Sequence, residues 1–138
     1  MKLFNLILIL NNAENKILMC LRSKDPYKGK LNLVGGKIEE NEDYLLSAYR
    51  ELFEETGISE KDVCLQPFLD FHWHPIKMKM MVYIGRLDTD IKLVEEAHKL
   101  YWVDITENFY NNQKYAGEGN IGHMIAIYKL HRDKIFKD

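Results

Sequence analysis

Three glutamates, Glu51, Glu54 and Glu55, stand at i, i+3 and i+4, a spacing that puts their carboxylates on one side of a helix. Like charges at that spacing repel and destabilise an isolated helix. Arg50, four residues before Glu54, offsets part of that charge. A hard divalent cation offsets it better, because Mg²⁺ takes oxygen ligands, commonly carboxylates together with substrate phosphate oxygens. Upstream, Gly35-Gly36 allow a tight turn and a close backbone approach to a ligand without a Cβ in the way. The same three carboxylates also suit a plain solvated helix face, which is what most charged stripes are. Within the cluster alone, both readings stand.

The elements that must position these groups follow from hydrophobic pattern and punctuation. Asn41 is the expected N-cap of the acidic helix, with Glu42 and Asp43 at its positive end and Gly57 as its stop. Leu45, Leu46, Tyr49, Leu52 and Phe53 are expected to form its buried face. Two β-prone runs, Leu3–Leu10 and Lys16–Arg22, flank an asparagine-rich turn and read as a hairpin. Leu31–Val34 delivers the chain to the glycines after a polar loop at Ser23–Lys30. Phe68–His74, Lys77–Leu87 and Leu100–Val103 read as further strands, with Asp88–Lys99 a charged connection. Ile121–Phe136 reads as an amphipathic closing helix built on Met124, Ile125, Ile127, Tyr128, Leu130 and Ile135. The order of strands and helices predicts an α+β fold, a mixed sheet covered on both faces, in one domain spanning residues 1–138.

Composition narrows the partners. With 138 residues, 46% hydrophobic and 29% charged, the chain has room for one ordinary core. A net charge of −2 carries no basic footprint for a nucleic-acid polymer and better suits an isolated phosphorylated metabolite. The N-terminal apolar run is broken by Asn5 and too short to span a membrane. Cys20 and Cys64 make neither a disulfide framework nor a metal spacing and read as buried thiols on strands, which suits a reducing cytoplasm. Pattern leaves monomer and homodimer open.

Taken whole, the segment runs Gly36, five residues, Glu42, seven residues, then Arg50-Glu51-Leu52-Phe53-Glu54-Glu55-Thr56-Gly57-Ile58. It resembles the Nudix box, G-x5-E-x7-R-E-U-x-E-E-x-G-U, with every fixed position filled and Leu52 and Ile58 at the two bulky apolar sites. The resemblance implies the Nudix α/β/α fold and hydrolysis of a nucleotide phosphoanhydride with Mg²⁺, or Mn²⁺ in its place. It implies that Glu54 is the principal metal ligand, with Glu51, Glu55 and the Gly36 carbonyl completing the set. Arg50 then orients the acids, Glu42 braces loop against helix, and Glu51 is the candidate base for the attacking water.

Outside the box the resemblance is to pyrophosphatases that remove 8-oxo-dGTP from the nucleotide pool. It points to Glu96, ahead of the Tyr101-Trp102-Val103 strand, as an extra ligand or base. An asparagine at the position of Asn32 contacts the purine there, and a side-chain amide suits a base edge because it donates and accepts at once. Glu118 and Asn120 fall in the last loop, where related enzymes place groups against the base. Leu33-Val34 depart from the aromatic or proline residues common just before the double glycine. Gly35 and Lys37 are candidates to approach the phosphates, as are Lys24, Lys28 and Lys30. Phe71, Trp73 and Tyr83 are candidates for a stacking wall or for core. His72 and His74 read as a surface strand rather than a zinc site. Hydrolysis of a nucleoside triphosphate is the favoured implication. The alternatives are hydrolysis of ADP-ribose, a dinucleoside polyphosphate or another nucleoside diphosphate derivative, and a nucleotide sensor without turnover.

Overall fold

A computed structural model of the chain describes residues 1–137. Strands β1 (Lys2–Leu10) and β2 (Lys16–Leu21) form the expected antiparallel hairpin. Asn11 closes it, its Oδ1 accepting from the N–H groups of Asn15 and Lys16, each at 3.0 Å. Strand β3 (Leu31–Asn32) leads into helix α1 (Tyr44–Thr56), which is followed by β4 (Gln66–Trp73). A 3₁₀ turn at His74–Ile76, with Pro75 inside it, joins β4 to β5 (Met78–Arg86). Strand β6 (Leu100–Asp104) and helix α2 (Asn120–Ile135) complete the fold. The sheet runs β3-β2-β1-β5-β4, with β6 pairing to β2. It is mixed, because β1 and β5 are parallel from Lys2↔Met78 to Leu10↔Arg86.

Strand β1 is apolar on both faces because both are covered. Leu6, Leu8 and Leu10 face α2 through Ile121, Met124, Ile125 and Tyr128. Ile7 and Ile9 face Ala48 and Leu52 of α1. This is the α/β/α sandwich that the sequence predicts. No helix among the described residues is long and apolar enough to cross a membrane.

Several local expectations are corrected. The N-cap of α1 is Asp43, not Asn41: Asp43 is extended at φ −65° and ψ 133° and accepts from the Leu46 N–H. Asn41 sits at φ 64°, outside the conformation a cap requires. The buried face of α1 is Ser47, Ala48, Leu52 and Thr56. Leu46 is 62% and Phe53 57% exposed, so the helix is turned by roughly 80° from the amphipathic reading, at 100° per residue. Small residues at 48 and 56 let it settle on the sheet along that line. Leu130, 77% exposed, is likewise no part of the core under α2. Cys20 is buried on β2, whereas Cys64 is exposed and lies between strands. His74 belongs to the 3₁₀ turn, where its ring stacks on that of His72.

Candidate active site

The chain leaving β3 turns back along β1, bridging Val34 to Ile7 and Lys37 to Phe4. This places the double glycine between a strand and a helix. Asn5, only 1% exposed, is the pin. Its N–H donates to the Gly36 carbonyl at 2.8 Å, and its Oδ1 accepts from the Gly36 N–H at 2.9 Å. Its Nδ2 donates to Ser47 Oγ of α1 at 3.2 Å. A Cβ on Gly35 would stand 2.1 Å from the Asn5 carbonyl oxygen. One on Gly36 would stand 2.5 Å from the Glu51 carboxyl carbon. Position 35 therefore admits only glycine, because it meets backbone, whereas a side chain at position 36 would have to push the Glu51 carboxylate aside.

Arg50 gathers the acids of the helix. Its Nε and Nη2 grip Glu42 at 2.7 and 3.1 Å, a two-point pairing of fork on carboxylate. Its Nη1 donates to Glu51 at 3.2 Å and to Glu54 at 3.3 Å. Glu42 also accepts from the Glu39 N–H, tying the loop to the helix start. Arg50 holds the Glu42 carboxyl down at about 2. Burial has the opposite effect deeper in. It raises Glu51, and it lifts Glu55 to about 7 although the Gly35 N–H approaches that carboxylate. Arg22, just past β2, lowers Glu55 in part.

These donors suit a hard divalent cation in kind. Three carboxylates and the Gly36 carbonyl are oxygen ligands, and at the half-buried Glu55 burial outweighs the opposing charge of Arg22. As placed, Arg50 Nη1 lies between Glu51 and Glu54, and among the described residues no three His, Cys, Asp or Glu side chains converge on one point. Glu54, with its side chain 57% exposed, has freedom to swing.

A second feature opens beside β1 on the face covered by α2. A cavity of about 410 Å³ is walled by Leu6, Met80, Phe71, Trp73 and Met124. Three of the sequence-predicted groups, Asn32, Glu118 and Asn120, meet along its lining. Phe71 and Trp73 pack edge to face at 6.2 Å, while Tyr83 belongs to the core on the α1 side. Leu33 and Val34 are buried in the two opposite cores, so their departure from the family pattern does not enter the cavity wall.

The remaining candidates are not drawn in. Glu96 is exposed, with no hydrogen bond or ion pair among the described residues. Its neighbour Glu95 caps the start of β6 by accepting from the Leu100 N–H at 2.7 Å. Lys37 is exposed and also lacks an ion pair among the described residues.

The NUDIX domain family model matches residues 2–124. The chain belongs to the NUDIX family. Among curated proteins no significant match was found. Of solved structures, the chain is similar to an Ap4A hydrolase from C. elegans, with a TM-score of 0.75 at 13% identity, covering 95% of this chain and 98% of that one. It is similar to MutT described for Aliivibrio salmonicida and Vibrio cholerae, with a TM-score of 0.67 at 23% identity, covering 91% and 98%. A MutT/nudix family protein from Enterococcus faecalis gives a TM-score of 0.64 at 23% identity, covering 75% of this chain. The chain spans 43% of that protein. At these identities the likeness is one of fold.

Within the Nudix frame, two features escaped the motif. Asn5 registered in the sequence only as a break in an apolar run, yet a polar residue inside a buried strand is itself a signal that something must be bonded there. Tyr27 lies in a polar loop with no pattern, and it reaches the cavity by donating to Glu118 at 2.6 Å. Nothing local to Tyr27 marks it, since its partner lies 91 residues away.

Proposed function

We propose that this Nudix protein is a Mg²⁺-dependent pyrophosphohydrolase of a nucleoside triphosphate. The leading substrate is an oxidised purine nucleotide such as 8-oxo-dGTP, and the products are nucleoside monophosphate and pyrophosphate. One observation carries the reading. Asn32 on the cavity and Gly35 at the acids are three residues apart, at most roughly 10 Å of extended chain. That span is short enough for a base seated in the cavity to reach the acidic helix with its phosphates.

Glu51, Glu54, Glu55 and the Gly36 carbonyl would hold the cation, and Glu96 is assigned as an outer ligand. A bound Mg²⁺ or Mn²⁺ supplies charge neutralisation on the phosphate chain and activation of the attacking water. Arg50 keeps Glu51 and Glu54 oriented through its Nη1 bonds. Glu51, raised by burial and packed against Gly36, is the carboxylate assigned to accept the water's proton. The Gly35 backbone and Lys37 are the groups assigned to the phosphate chain.

A hydrolysis screen over canonical, oxidised and diphosphate-linked nucleotides, with Mg²⁺ and with Mn²⁺ and with products identified by mass, tests this. Triphosphates are expected to give monophosphate plus pyrophosphate. Preferred cleavage of ADP-ribose or a dinucleoside polyphosphate would move the chain to that branch. Tight nucleotide binding with no turnover would make it a sensor.

A further inference from the structure

Two non-glycine residues held in the left-handed backbone region, Tyr27 at φ 71° and Glu118 at φ 50°, face each other at the cavity mouth. The Tyr27 hydroxyl donates to Glu118 Oε2 at 2.6 Å across 91 residues of sequence. Glu118 is the apex of a run of three left-handed residues, between Gly117 at φ 89° and Gly119 at φ 90°. Side chains in that region are uncommon, and two that meet at a cavity are a geometry maintained for what it presents.

What it presents follows from hydrogen-bond accounting. Because Tyr27 acts as donor, Glu118 is an acceptor, and its second oxygen has no partner among the described residues. Asn32 is fixed the other way round. Its Oδ1 accepts from the Leu33 N–H at 2.8 Å, which settles the amide orientation and leaves Nδ2 as the group to be used. Between these ends the walls are apolar, and Phe71 and Trp73, set edge to face, can offer a flat ring one aromatic face and one aromatic edge.

We propose that Tyr27 is a specificity-determining residue, acting through Glu118, and that the cavity selects a base whose edge carries an acceptor toward Asn32 and a donor toward Glu118. Aminopurines carry such an edge, whereas unsubstituted purine carries acceptors only. The inference rests on the cavity being the base site of the proposed function, but not on turnover.

The test is equilibrium binding, read by Trp73 fluorescence. Trp102 lies with the core on the opposite face of the sheet. The probes are AMP, GMP and purine riboside 5′-monophosphate. The better of the two aminopurines is expected to bind about tenfold more tightly than the unsubstituted purine, the factor expected from one hydrogen bond of ordinary net strength. Glu118→Gln and Tyr27→Phe should each bring that ratio to within about threefold, because the first supplies a donor and the second releases the carboxylate. A merely structural role for Tyr27 would weaken all three probes alike and leave the ratio unchanged. An unchanged ratio in folded Glu118→Gln, equal binding of the three by the wild type, or no binding at all would overturn the proposal. Because no bond is cleaved, a protein that binds with this preference and hydrolyses nothing would overturn the proposed reaction while leaving this inference standing.

Discussion

Asn5 and Gly36 exchange two hydrogen bonds, N–H to carbonyl at 2.8 Å and N–H to Oδ1 at 2.9 Å. A third bond, to Ser47, passes this anchorage to the acidic helix. Replacing Asn5 with alanine leaves a part-buried Gly36 N–H and a buried Ser47 hydroxyl without that partner. The expected cost is about 1–3 kcal/mol in urea unfolding, the usual cost of an orphaned buried polar group. Activity should fall further than stability predicts, since the loop against Glu51 loses its anchor. Wild-type kcat in a stable Asn5→Ala would refute this.

The two glycines should fail differently. Gly36→Ala drives a Cβ to 2.5 Å from the end of a flexible side chain, Glu51, which can move aside. It should cost no more than about 1 kcal/mol of stability. Turnover should nevertheless drop at least about tenfold, about 1.4 kcal/mol of lost positioning. Gly35→Ala meets backbone at 2.1 Å and should cost about 2 kcal/mol or more. Thermal melts beside initial rates separate the two outcomes.

Glu54 is the acid with the most exposed side chain of the three, and its substitution disturbs the least packing. Glu54→Gln is expected to keep the melting temperature and lose at least about a hundredfold in kcat, as removal of one transition-state partner does. Chelation by EDTA should abolish turnover, and Mg²⁺ or Mn²⁺ should restore it. Near-normal rates in the variant would remove Glu54 from the ligand set.

The corrected face of α1 is directly measurable. Leu46→Gln and Phe53→Gln should each change stability by less than about 0.5 kcal/mol, because both side chains already meet solvent. Leu52→Ala, at 0% exposure, should cost about 2–5 kcal/mol. Equal losses at all three positions would restore the amphipathic reading.

Acid stability should depend on Glu14, which joins the hairpin turn to α2 and β5. It accepts from Arg132 at 2.6 Å, from Arg86 at 2.8 Å and from the Tyr128 hydroxyl. The Arg132 bond leads in lowering its carboxyl from 4.5 to about 2. A depressed carboxylate contributes stability above its unfolded value and loses it as pH falls through the folded one. The stability gap between wild type and Glu14→Gln should therefore be full above about pH 5 and shrink steadily toward pH 2. A gap independent of pH would show that Glu14 acts through packing alone.

Sequence by itself determined the box, the α/β/α order of elements, and the joint presence of acids, arginine and double glycine on one segment. These are local matters: helix spacing, turn chemistry and strand alternation act over a few residues. It also singled out Asn32, Glu118 and Asn120, though not that they would share a wall. Only the tertiary structure decided which stripe of α1 is buried, because Ala48 and Thr56 are invisible to a count of large apolar residues. Likewise, only the fold brought Asn5 to Gly36 and Tyr27 to Glu118, pairs separated by 31 and 91 residues. No local propensity encodes contacts at that range. They exist because the fold brings distant segments together, so that a buried amide finds its partners and a hydroxyl meets a carboxylate.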